Sequence, residues 1–85
     1  MNITTKGICR HAEKIYQLIS LEGVSQNALL DIQAQDDNGW DVPAKVFRDT
    51  PTEAVVVLVD VHSSTSSISY TIFASDGAIQ EASAW

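Results

Sequence analysis

The chain has 85 residues, of which 45% are hydrophobic and 19% are charged, and its formal net charge is −6 at pH 7. This length suits one domain over residues 1–85 and excludes a second, while the composition excludes a disordered chain. The acidic balance disfavours direct binding to nucleic acid, because a phosphate backbone requires basic side chains.

The first predicted element is an amphipathic helix over about residues 7–21. Its apolar residues recur at a spacing that forms one stripe on a helix, namely Ile8, Ala12, Ile15, Tyr16 and Ile19. Gly23 stands where a left-handed residue would end the helix. Lys6, Arg10 and Lys14 would form a basic ridge on the opposite face.

A β-hairpin is predicted next, because the hydrophobic period changes from 3.6 to 2. Leu30, Ile32 and Ala34 alternate with polar residues, and Asn38-Gly39 is a typical hairpin turn. The second arm covers residues 40–46. Pro43 cannot donate a ladder hydrogen bond, so this arm is predicted to be an edge strand or to carry a bulge.

The remainder of the chain predicts a meander. Residues 54–62 form a run rich in valine that is typical of a central strand. Alternation resumes at residues 68–73, and Asp76-Gly77 turns the chain into a last strand from Ile79 to Trp85. The predicted fold class is therefore α+β, with one N-terminal amphipathic helix packed on a four- to five-stranded antiparallel meander sheet.

Both faces of the predicted central strand are apolar. Val55 and Val57 lie on one face, and Val56 and Leu58 lie on the other. One helix covers only one face of a sheet, so the second face requires a second copy of the chain, another protein or a ligand.

The sequence favours a small, acidic, non-enzymatic protein–protein interaction module, such as an inhibitor, an antitoxin, an immunity-like protein or a homodimeric accessory protein. The expected partner is a second copy or a basic protein, which an acidic surface would attract. The candidate interface is an apolar sheet face with an acidic rim. Its residues are Val56, Leu58 and Phe73 on the face and Asp36, Asp37 and Asp41 on the rim.

The alternative is a small-ligand-binding or enzymatic domain with a cleft between helix and sheet, lined by Tyr16, Phe73, Asp60 and His62. Asp60 and His62 stand two apart, so on a strand they would share a face near several serines. No serine lies in a Gly-x-Ser-x-Gly elbow, however, so no catalytic residue is predicted.

Neither a metal site nor a cofactor is predicted. The acidic turn around Gly39 does not match a calcium-binding loop, since Ala34 and Lys45 would occupy its first and twelfth positions. Cys9 is the lone cysteine, which fits a reducing compartment. With no secretory signal and no long apolar run, the expected location is the cytoplasm, without membrane contact. Trp40 and Trp85 are expected to close the core.

Overall fold

A computed structural model describes residues 1–84, which form a sandwich of two antiparallel β-sheets with no helix. The strands are β1 (Asn2–His11), β2 (Lys14–Glu22), β3 (Leu30–Asp36), β4 (Asp41–Val42), β5 (Ala44–Thr50), β6 (Glu53–Leu58), β7 (Ile68–Ala74) and β8 (Ile79–Ser83). Sheet A has the strand order β1-β2-β6-β5, and sheet B has the order β4-β3-β7-β8. Residues 1–84 thus include no helix able to cross a membrane.

The predicted α+β class is wrong, because the region assigned to a helix forms the hairpin of β1 and β2. Cys9 pairs with Tyr16 across this hairpin, and the chain reverses at residues 12–13. Ala12 has a φ of 55° in the turn, a conformation that glycine or asparagine usually supplies. Because no such residue marks the turn, the sequence pattern did not indicate a reversal.

The residues of β2 explain why the period appeared helical. Its inward side chains are Ile15, Gln17, Ile19 and Leu21, all almost completely buried. A polar residue therefore stands in the buried set, while Tyr16 and Leu18 bring apolar residues into the outward set. Strict alternation between apolar and polar residues is lost, although the strand geometry is regular.

Pro43 lies where the chain passes from one sheet to the other. The predicted hairpin is confirmed in its first part, because Ala34 pairs with Val42 across the turn that contains Gly39. The second arm is divided at Pro43: β4 ends at Val42 on an edge of sheet B, and β5 begins at Ala44 on an edge of sheet A. The edge prediction is confirmed for both pieces, and proline is compatible with this position because it has no N–H to pair.

The strands predicted in the second half of the chain are present, but the predicted single meander sheet is wrong, because β6 lies in sheet A and β7 lies in sheet B. The last strand begins at Ile79 as predicted and ends at Ser83. β6 is central in sheet A, between β2 and β5, and β7 is central in sheet B, between β3 and β8. β6 is shorter than predicted, since its ladder ends at Leu58 and Asp60 has a φ of 55°. Val61 turns back into the interior, where it is 2% exposed.

The core lies between the two sheets. Sheet A contributes Ile15, Ile19, Leu21, Ala54, Val56 and Leu58, and sheet B contributes Ile32, Ala34, Ile68, Tyr70 and Ile72. Trp40 is not part of it: this side chain is 73% exposed, which overturns its expected role in closing the core. Trp85 lies outside the described residues.

Candidate interaction surface

The outer face of sheet A carries a continuous group of apolar side chains. In one cross-strand row Leu18 stands beside Val55, which stands beside Phe47. In the next row Tyr16 stands beside Val57. We refer to these five residues as the apolar face of sheet A.

The side chains of the apolar face are accessible to solvent. Phe47 is 55% exposed, Tyr16 is 39% exposed and Leu18 is 36% exposed, while Val55 and Val57 are half-buried between them. Strand alternation directs these residues away from the core, because their neighbours along β2 and β6 point inward. The face is a product of sheet geometry.

The outer face of sheet B is polar over most of its area. Its cross-strand rows place Gln33 beside Thr71 and Gln35 beside Ser69, and β8 adds Glu81 to the first of these rows. Amide, hydroxyl and carboxylate groups are ordinary for a solvated sheet face. The two outer faces of this sandwich therefore differ in chemistry although they share one architecture.

The two sheets also differ in charge. The strands of sheet A hold every lysine and arginine of the chain, namely Lys6, Arg10, Lys14, Lys45 and Arg48. Sheet B and its two hairpin turns hold acids but no Lys or Arg; these acids are Asp31, Asp36, Asp37, Asp41, Asp76 and Glu81. The remaining acids balance the bases of sheet A, so the negative field of the molecule originates in sheet B.

The predicted apolar interface residues occupy different environments. Val56 and Leu58 are both 0% exposed and belong to the core, so they form no part of the surface. The face of β6 that sheet B leaves uncovered carries Val55 and Val57 instead. Phe73 is half-buried on the outer face of sheet B, between Asp31 and Ile79, and is therefore separated from the apolar face of sheet A.

The predicted acidic rim lies at one end of sheet B and does not border the apolar face of sheet A. Asp36 Oδ1 accepts hydrogen bonds from the backbone N–H groups of Asn38 (2.9 Å) and Trp40 (3.0 Å), so it shapes the hairpin turn. Asp41 follows the turn at the start of β4. Asp37 accepts a hydrogen bond from the Ser66 hydroxyl, which lowers the pKa of its carboxyl group.

Only two of the four residues of the predicted cleft are brought together. Tyr16 and Asp60 line one surface cavity beside the β1–β2 turn, whereas His62 lines another with Asp36, Asp37 and Trp40. Phe73 lines neither. His62 Nδ1 lies 2.7 Å from Ser64 Oγ, in a local loop contact that does not involve Asp60. Among residues 1–84, no cluster of His, Cys, Asp or Glu has the arrangement of a metal site.

Leu18, Phe47, Val55 and Val57 were not among the predicted interface residues. A signal was present, because both alternating sets of residues 15–21 and of residues 54–58 contain apolar side chains. That pattern indicates a strand with two apolar faces. It does not indicate which face meets the second sheet.

Comparison with known proteins found no family model that matches the chain and no curated protein that matches it.

Proposed function

We propose that this protein is a non-enzymatic protein–protein interaction module that binds through the apolar face of sheet A. The observation that carries the proposal is the contrast between the two outer faces of the sandwich. A solvated sheet face normally has polar side chains, as sheet B has, and a contiguous apolar face that departs from this pattern marks an interaction surface.

The arrangement of side chains supports a protein as the binding partner. Interface centres are enriched in aromatic and aliphatic residues and surrounded by a polar rim. Here Tyr16 and Phe47 lie among aliphatic side chains, and Lys14, Lys45 and Glu53 stand at the margins of the same face. The face is an exposed sheet surface, which suits a broad partner better than an enclosed small molecule.

Phe47 is the strongest candidate anchor, since it is the most exposed member of the face. Covering half of a phenylalanine removes about 100 Å² of apolar surface from water and stabilises a complex by about 2 kcal/mol. The same residue contributes little to the core, so it can be altered without disrupting the fold.

A photo-cross-linking amino acid placed at position 47 tests the proposal. Under illumination in a lysate of the protein's native cells, we expect a covalent adduct of defined mass, formed with a second copy or with another protein. The matched control carries the same cross-linker at position 33, on the outer face of sheet B, where Gln33 is exposed.

Adducts of equal yield from positions 47 and 33 would contradict the proposal, since they would reflect random collision. The absence of an adduct at position 47 in a folded protein would contradict it as well.

A further inference from the structure

We infer that the partner seated on the apolar face of sheet A is a second copy of the same chain, packed face to face with its strands antiparallel. This inference rests on the proposed function, because it names the occupant of the surface described there. Three observations carry it: the order of side chains along β2, the charges at the two ends of the face, and the position of the uncompensated acids on sheet B, away from the face.

The outward side chains of β2 have a self-complementary order. They are Lys14, Tyr16, Leu18, Ser20 and Glu22, with a base at one end, an acid at the other and Leu18 at the centre. The distance from Lys14 to Glu22 is about 27 Å at the usual rise of a strand. A twofold axis that passes beside Leu18 and runs across the strands places Lys14 of each copy over Glu22 of the other.

Among the neighbouring strands, β5 and β6 extend the same polarity, whereas β1 places Lys6 at the acidic end. Lys45 on β5 stands in the row of Tyr16, at the basic end, and Glu53 on β6 stands beside Ser20, at the acidic end. Glu53 already forms an ion pair with Lys6, in which Nζ lies 3.3 Å from Oε2. Lys14 has no salt bridge within the described part of the chain. Antiparallel stacking therefore brings opposite charges together, while parallel stacking would bring like charges together.

The area of the whole outer side of sheet A, of which the apolar face is one part, agrees with a dimer of moderate affinity. Four strands about 4.8 Å apart and about 27 Å long give a flat area of about 500 Å² per copy. Two copies then bury about 1,000 Å², at the lower limit for a specific interface. Stacked sheets pack about 10 Å apart with their strands nearly aligned, a geometry that regular β-strands already provide.

Two copies of an acidic chain repel each other, but the position of the acids keeps this repulsion away from the proposed interface. Each copy has a charge of −6, but the uncompensated acids belong to sheet B and its turns. Packing through sheet A places the two acidic sheets on opposite outer surfaces, where distance and salt screen their repulsion. The dimer would present two acidic surfaces, each suited to a basic protein partner.

Charge exchange on β2 tests the inference. Sedimentation of the purified chain at low salt, from about 1 to about 300 µM, is expected to show a monomer–dimer equilibrium. Lys14→Glu and Glu22→Lys should each raise the dimer Kd about tenfold, because each replaces two symmetric attractions by repulsions. An equimolar mixture of these two variants, and the double variant K14E/E22K, should both recover the wild-type Kd within about threefold.

The inference is overturned by a monomer throughout this range, by assembly beyond a dimer, or by single variants that neither weaken the dimer nor rescue each other. Far-UV circular dichroism confirms that each variant is folded. A monomeric wild type that still forms a position-47 adduct with another protein would overturn self-pairing and leave the proposed function standing. A monomeric wild type that forms no position-47 adduct would contradict both the self-pairing and the proposed function.

Discussion

One buried polar residue, Gln17, links the two sheets through hydrogen bonds. Gln17 is 1% exposed; its Oε1 accepts a hydrogen bond from the Tyr70 hydroxyl at 2.7 Å, and its Nε2 donates to Thr5 Oγ1 at 3.1 Å. Nε2 also lies 3.4 Å from the Ser83 carbonyl oxygen. A buried amide is tolerated only when its donors and acceptors are paired, so Tyr70 and Gln17 act as a unit.

Replacing Tyr70 by Phe is expected to lower the free energy of unfolding by about 1 to 2 kcal/mol, because Gln17 Oε1 loses its donor while the aromatic volume is retained. Urea unfolding at neutral pH measures this change. Ser69→Ala, on the exposed face beside it, serves as the control and should have almost no effect. A Tyr70→Phe variant as stable as the wild type would show that the hydrogen bond contributes nothing net.

The same variant has a second readout at alkaline pH. Burial raises the pKa of Tyr70 from 10.0 to about 12. Tyr70 therefore ionises first in the unfolded chain, and its contribution to stability, complete below pH 10, declines as the pH rises towards 12. Tyr70→Phe should lack this part of the pH dependence, whereas Tyr16→Phe, which keeps Tyr70, should retain it.

At the scale of elements, the connection from β2 to β3 is held by two other parts of the chain. The backbone N–H of Ser25 donates to Asp76 Oδ2 at 2.8 Å, and that of Leu29 donates to Ser75 Oγ at 2.8 Å, both in the β7–β8 turn. From β5, Arg48 Nη1 donates to the carbonyl oxygens of Ser25 (2.9 Å) and Ala28 (3.0 Å). These bonds join the crossover to both sheets.

Asp76→Ala is expected to loosen this connection. The backbone N–H groups of Ser25 and Ala78 both donate to the Asp76 carboxylate and lower its pKa below 3.8. Its stabilising contribution is therefore complete above about pH 4 and is lost as the pH falls through that lowered pKa. Amide exchange at Ser25 should become about tenfold faster at neutral pH in the variant.

Glu81→Gln, on the outer face of sheet B, is the control for this measurement and should leave exchange at Ser25 unchanged. Equal exchange in Asp76→Ala and the wild type would show that Arg48 and Ser75 are sufficient to hold the connection.

At the scale of the whole molecule, the sandwich depends on pairings between distant segments. The β1–β2 hairpin is local, but β2 pairs with β6, and β3 pairs with β7 so that Leu30 stands opposite Ala74. Each of these pairings must close a long loop before its contacts stabilise the chain. The topology therefore predicts slow folding relative to a helical protein of this size.

Stopped-flow circular dichroism after dilution from urea is expected to show refolding in milliseconds to seconds, the range of small sandwiches. The measurement should be made at a concentration where the chain is monomeric, so that association adds no phase. Refolding completed within microseconds would contradict the dominance of distant pairings.

Local chemistry determined much of this fold without tertiary information. Gly39 and Gly77 identified two turns because their left-handed backbone excludes most other residues, and the structure has φ of 82° and 95° there. Pro43 indicated an edge because it lacks an N–H group. The valine-rich run of β6 indicated a central strand, since consecutive β-branched residues are typical of strands that have neighbours on both edges.

Tertiary structure decided what alternation alone leaves open. Gln17 interrupts the buried set of β2 and can be buried only because Tyr70 and Thr5, distant in sequence, pair with its amide. On β6, the sequence showed two apolar faces, but the position of sheet B determined that Val56 enters the core and Val55 remains at the surface. A period of two specifies that two faces exist, whereas the packing of distant strands determines which one is covered.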